Sequence, residues 1–314
     1  MTGIVAGRRS HWCARWTSHE ADWQAAARPP RGPVHPYHAR VRLIDSHCHV
    51  NADRFADDAE LVIGAARLAG VERILVPGWN VASSERALDL VERLPWLDAA
   101  VGVHPHDAAK VDDAGWKQIR DWATDDRVVA IGETGLDYDR AFSPIPDQLV
   151  NLRRNLDLAA ETGKPAILHC RSAAGGRDAQ DALLAAIRDR GRGAPAVVIH
   201  SFSGPVDYAQ AMLDLGAAIS FSGLVFRKGE EPSAQVAAFT PSDRLLVETD
   251  SPFLSPPGAP RGRNEPEYVR TTAQWVAERR DVARDTLGDA FVAAYDRTFP
   301  TGGSRRLTGR QVVR

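Results

Sequence analysis

Cysteine is scarce in this chain: Cys13, Cys48 and Cys170 are the only three among 314 residues, and no CxxC pair occurs. That excludes a disulfide framework and a thiolate-rich zinc site, and it fits a protein of the reducing cytosol. Charge of one sign is also lacking. A formal net charge of −2 creates no global basic field, so contact with nucleic acid would need a local patch. No run of 18 apolar residues is present, and no apolar stretch follows Arg8-Arg9, so neither a membrane span nor an export signal is expected. Two glycine signatures are missing as well. Without GxGxxG after the first strand a dinucleotide-binding sheet is disfavoured, and without GxSxG a serine-hydrolase elbow is excluded.

With 44% apolar residues, the chain has ample material for a core. From Val41 onward, short β-rich runs recur at 41–50, 73–79, 99–106, 128–137, 165–171, 196–202, 217–223 and 245–252. They are continuous apolar runs, as parallel strands buried on both faces should be. Helical spacing fills the gaps: Leu149, Leu152, Leu156 and Ala159 repeat every three or four residues, and Gly163 follows as a stop. Eight strands alternating with helices predict an α/β fold, a single-domain (β/α)₈ TIM barrel over residues 41–299.

The ends of the chain read differently. Residues 1–40 mix three tryptophans with four prolines and follow no period. They are expected to be an irregular extension, either an accessory arm or sequence upstream of the true start, dispensable for folding. Residues 300–314 form a basic tail.

In such a barrel the functional residues lie where strands finish. His47 and His49 close the first run, His104 and His106 the third, Glu133 sits in the fourth, His169 and His200 in the fifth and sixth, and Asp250 in the eighth. A lone histidine there would ordinarily be a hydrogen-bonded structural group. Six placements on a common rim argue instead for a metal centre, since His, Glu and Asp are the ligands that divalent ions such as Zn²⁺, Mn²⁺ and Mg²⁺ accept. Four histidines and two carboxylates exceed the three protein ligands of a mononuclear catalytic zinc. Two ions roughly 3.5–4 Å apart would use the surplus, with Glu133 as the candidate bridge from its middle place in the strand order. Asp250 is the carboxylate expected both to ligate and to accept a proton from water.

The segments DSHCHV, GVHPH, IGETGLDY, KPAILHCR, HSFSG and ETDSPFLSP followed by RGRNEP stand in an order that resembles the TatD family of metal-dependent deoxyribonucleases, amidohydrolase-like barrels. The resemblance runs from about Val41 to Phe299. It implies His47, His49, Glu133 and Asp250 around one metal and Glu133, His169 and His200 around a second. It also implies hydrolysis of DNA phosphodiesters, with some relatives linked to removal of D-amino acids from tRNA. The first 40 residues, the Gly175-Gly176 pair after HCR and the basic tail depart from the family pattern, so substrate shape is where this chain should differ.

Arg171, two residues after His169, is expected to hold a phosphate. Arg263 on the last loop is expected to grip a strand backbone and His106 to touch substrate, while His104 orders the turn after the third strand. Cys48 and Cys170 should point away from the ligands into the core. The substrate expected is DNA, single-stranded or frayed, because a near-neutral protein offers no broad basic surface to a duplex. The rival reading is an amidohydrolase-type barrel acting on an ester or amide, such as D-aminoacyl-tRNA. A carboxylated lysine bridge is disfavoured because Lys164 precedes its strand.

Overall fold

The computed structural model describes residues 42–300, so the expectations for residues 1–40 and for the basic tail lie outside the described residues. Eight strands form one parallel sheet in sequence order: β1 (Leu43–Asp45), β2 (Val71–Pro77), β3 (Leu97–Val101), β4 (Val128–Asp137), β5 (Ala166–Arg171), β6 (Val197–Ile199), β7 (Ala218–Phe221) and β8 (Leu245–Val247). Each strand pairs in parallel with the next, so every connection is a crossover that carries a helix on the outside. These are α1 (Ala59–Leu68), α2 (Val81–Arg93), α3 (Asp113–Trp122), α4 (Ile145–Thr162), α5 (Asp178–Arg188), α6 (Val206–Asp214) and α7 (Glu231–Phe239). Two further helices, α8 (Val269–Arg279) and α9 (Arg284–Thr298), follow β8.

The barrel closes just beyond β1 and β8. Ser46 donates its backbone N–H to Val247 O at 3.0 Å, and the Asp45 carboxylate accepts from the N–H and hydroxyl of Thr249 at 2.9 and 2.6 Å. The (β/α)₈ expectation therefore holds, with strands shorter than the apolar runs that announced them: β1, β6 and β8 have three residues each.

Helix α4 shows how the core and the site are joined. Leu152, Leu156 and Ala159 are fully buried, each leucine contributing about 2 kcal/mol by area removed from water. Gly163, in the left-handed region at φ 67°, ends the helix as its position predicted. The same helix buries three amides, and these serve the open ends of β3 and β4. Gln148 accepts from Asp137 N–H and donates to Asp137 O; Asn151 donates to Val103 O; Asn155 accepts from Val103 N–H. Backbone groups with no ladder partner are thereby satisfied, and the residues that follow Val103 and surround Asp137 are held in place.

Candidate metal centre

β1 ends at Asp45, so His47 and His49 stand just past the strand. The chain there stays extended because both of its edges are pinned. Cys48 N–H donates to Leu75 O on β2 at 3.0 Å, while His47 O and His49 N–H bond Asp250 N–H and Ser251 O at 2.9 and 2.7 Å. The alternation of a strand survives without its label, and the two imidazoles converge with their Nε2 atoms 3.1 Å apart.

Glu133 is delivered by a different device. Between Ile131 and Thr134 the register of β4 slips: those two residues pair with Ala166 and Leu168, so three steps on β4 oppose two on β5. The flanking glycines permit this bulge, for Gly132 and Gly135 take φ of 138° and 133°, and a Cβ on Gly135 would lie 2.0 Å from His169 O. The carboxylate that results faces two ways. Its Oε2 is 3.3 Å from Nε2 of both His47 and His49; its Oε1 is 3.2 Å from His169 Nδ1 and 2.9 Å from His200 Nε2. Asp250 Oδ1 completes the first set, 3.4 Å from His49 and 3.8 Å from His47.

These spacings suit a cation. Four atoms bound tetrahedrally to one ion at about 2.1 Å stand roughly 3.4 Å apart, and His47 and His49 lie 3.1 Å from each other and 3.3–3.8 Å from Glu133 and Asp250. The second set adjoins the first: the rings of His47 and His200 stack with centroids 3.9 Å apart. All the donors are nitrogen or oxygen, as borderline and hard divalent ions require.

Electrostatics point the same way. Burial by itself would raise the Glu133 carboxyl, but the surrounding His200, His104 and His47 hold it well below the usual carboxylate range. Asp250 behaves alike: burial is outweighed by His49 and His200, and its carboxyl is lowered. Burial also opposes a charge on His49, yet Asp250 and Glu133 lift it to about 9; Glu133 and Glu248 likewise lift His200 well above the ordinary imidazole range. The two ionised carboxylates thus favour positive charge among the imidazoles, a role open to protons or to metal.

Three residues support the centre, and two of them, Glu248 and Asp137, went unnoticed in the sequence. Glu248, fully buried, accepts from His200 Nδ1 at 3.1 Å and from Ser201 N–H at 2.7 Å, which leaves His200 Nε2 to face Glu133. Asp137 takes His106 Nε2 at 2.8 Å and His169 Nε2 at 3.3 Å on one oxygen, and the Arg140 N–H at 2.8 Å on the other. His104 caps the turn after β3, as expected, by accepting the His106 N–H at Nδ1; its Nε2 therefore carries the hydrogen and meets Glu133 Oε1 at 3.2 Å. The only signal in the sequence was adjacency, Glu248 two places before Asp250 and Asp137 four after Glu133.

The centre lies in a cavity of about 1060 Å³. His106 and Arg171 line it, as do Gly175 and Gly176 of the loop after β5. Arg171 makes no ion pair with Glu133 or Asp250 among the described residues. Arg263, expected to grip a strand backbone, stands apart from the cavity. Its guanidinium is held by Asp58 at 2.6 Å and Glu265 at 2.7 Å, over the Phe55 ring, and it is not part of the cavity lining. Cys48 packs in the core as expected, whereas Cys170 borders the cavity; burial pushes its thiol up to about 12, which keeps it inert. Lys164 donates to Ala123 O and Asp125 O and so takes no part in the centre.

Residues 44–300 match the model of the family described as TatD related DNase. The metal-dependent hydrolase YabD of Bacillus subtilis is 34% identical over 82% of this chain and 98% of its own. The protein named 3′-5′ ssDNA/RNA exonuclease TatD in Pectobacterium carotovorum is 36% identical, covering 75% of this chain and 92% of its own. Among solved structures, the TatD homologue YJJV of Escherichia coli superposes with a TM-score of 0.74 at 30% identity, over 82% of this chain and 98% of that one. With the barrel, the histidine–carboxylate centre and these relatives in agreement, the chain belongs to the TatD family and is a metal-dependent hydrolase acting on ester bonds.

Proposed function

We propose that this hydrolase cleaves phosphodiester bonds of DNA at a pair of divalent cations, shortening single-stranded or frayed strands from a 3′ end. His47, His49, Glu133 and Asp250 would hold one cation, and Glu133, His169 and His200 the other; Mg²⁺, Mn²⁺ and Zn²⁺ all suit these donors. The observation that carries the reading is the opposed aim of the two Glu133 oxygens, one toward each histidine pair. Relatives that bear the name of 3′-5′ single-strand exonuclease support the choice of strand and end.

When bound, such cations supply Lewis acidity to phosphoryl oxygens and bring the pKa of water in the site from 15.7 toward about 7. The chain's own residues do the rest. Asp250, ionised at neutral pH because its carboxyl is lowered, accepts the proton of the attacking water. Glu133 holds the two donor sets at a fixed spacing. Arg171 faces the cavity and offers a planar fork to the phosphate, where charge grows as the bond breaks. His106, its Nε2 held by Asp137, presents the rest of its ring to the substrate.

The test is an assay of purified protein with Mg²⁺ or Mn²⁺ on single-stranded DNA, duplex DNA, RNA and D-aminoacyl-tRNA. Single-stranded DNA should be cut fastest, and EDTA should stop the reaction. Turnover of D-aminoacyl-tRNA or of a simple ester or amide, with no nucleic acid cut, would transfer the assignment to that rival chemistry.

A further inference from the structure

The mouth of the cavity is not uniform, and its asymmetry follows the barrel. Trp79 lies on the loop after β2 and Phe253 on the loop after β8, and both stand edge-on to the His49 ring at centroid distances of 5.1 and 5.9 Å. All three line the cavity. Because β8, β1 and β2 are neighbours around the barrel, this is one sector of the rim. The rest of the rim carries charge, across the barrel at β4 and β5 and, beside β8, at β7. Arg140 after β4, Arg171 at the end of β5 and Lys228 after β7 line the same cavity, and none of them takes part in an ion pair among the described residues.

Phe253 is half exposed, at 51%, although it stands three residues from Asp250. Its backbone is not loose. Phe253 N–H donates to Asp250 O at 2.8 Å, and the buried Asn264 amide donates to both Thr249 O and Phe253 O at 2.8 and 2.7 Å. A rigidly mounted, exposed phenyl loses little entropy when a flat group settles on it, and every nucleobase has such a face.

From this geometry we infer that Trp79 and Phe253 form the seat of the terminal nucleobase, while Arg140, Arg171 and Lys228 track the phosphates of the strand leading away. The inference rests on the nuclease reading and adds a direction to it. The 3′-terminal base lies over the β8–β1–β2 sector, the scissile phosphate lies at the metal centre, and the upstream backbone crosses toward β4 and β5, with Lys228 after β7 flanking its path. A strand so held must present an unpaired terminal base, which gives a physical reason for preferring single or frayed ends.

The experiment compares an oligonucleotide with an intact 3′-terminal base and one whose last nucleotide is abasic, using metal-loaded wild type, Phe253→Ala and Phe253→Trp. Wild type should lose about tenfold in kcat/KM when the base is absent. Phe253→Ala should lose a similar factor on the intact strand and little more on the abasic one, and Phe253→Trp should restore the preference. A 2-aminopurine placed as the terminal base should be quenched on mixing with wild type and much less with Phe253→Ala. Lys228→Ala and Arg140→Ala should instead raise KM on both strands alike and flatten its salt dependence. Equal cleavage of intact and abasic strands by wild type, or a Phe253→Ala enzyme that still prefers the base, overturns the base seat while leaving the nuclease intact. Wild type that cuts no oligonucleotide overturns both.

Discussion

Glu248 lies against His200, its Oε1 3.1 Å from Nδ1, wholly buried behind a ring whose other edge borders the cavity. The carboxylate fixes which ring nitrogen carries hydrogen, so the other is free to bind a cation. Glu248→Gln keeps the shape and an acceptor for Ser201 N–H but removes the charge. It should weaken metal binding by about 10- to 100-fold, read by calorimetric titration of the metal-free protein. An unchanged Kd would show that Glu248 serves only the fold.

Asp250→Asn should leave the fold intact and reduce kcat on an oligonucleotide by about 10²- to 10⁴-fold, with KM changed far less. The amide accepts no proton from water and is a poorer partner for His49. Kinetics at saturating Mn²⁺ separate the effect on the rate from lost metal. A mutant with wild-type kcat would remove Asp250 from the proton transfer.

The histidines make the metal-free protein sensitive to pH in a defined direction. His49 is raised from 6.5 to about 9, and His200 and His169 are raised as well, so the folded state binds more protons than the unfolded chain above pH 6.5. That stabilisation is complete below about 6.5 and is lost as pH rises toward 9. His47 and His104 are lowered and act only below 6.5. In EDTA the melting temperature should therefore fall between pH 6.5 and 9, and saturating divalent cation should remove or reverse the trend. A flat EDTA profile across that window would contradict the charge distribution described.

Arg263→Ala should change KM for DNA by less than twofold, because its guanidinium is committed to Asp58 and Glu265. Stability should drop by about 1 kcal/mol or less, as partly exposed pairs do. Urea unfolding and steady-state kinetics on one preparation distinguish this from a substrate contact, which would raise KM severalfold.

The barrel was legible because its signals are local: apolar runs of strand length, the Leu152–Leu156–Ala159 stripe and the Gly163 stop each occupy a few consecutive residues. The convergence of histidines and carboxylates was legible because barrels gather strand ends, so bringing His47, His169 and Asp250 together needed no knowledge of angles. What stayed hidden depends on contacts between distant segments. Arg263 looked free until Asp58, 205 positions away, was seen to hold it. Glu248 reads as one more strand residue until the sheet brings it to His200, 48 positions earlier. Strand limits failed for a related reason: the ladder stops at Asp45 while bonds to Leu75 and Ser251 keep the chain extended beyond it.

The bulge in β4 places the Glu133 carboxylate inside a strand, whereas Trp79, Phe253, Arg140 and Lys228 all ride on loops. Glu133 thus sits in chain locked by ladder bonds and glycine geometry, while the mouth of the cavity is built from chain free to vary in length and composition. Loops could be exchanged between relatives of this barrel to redirect it toward new esters without rebuilding its reactive centre, provided Gly132 and Gly135 are left alone.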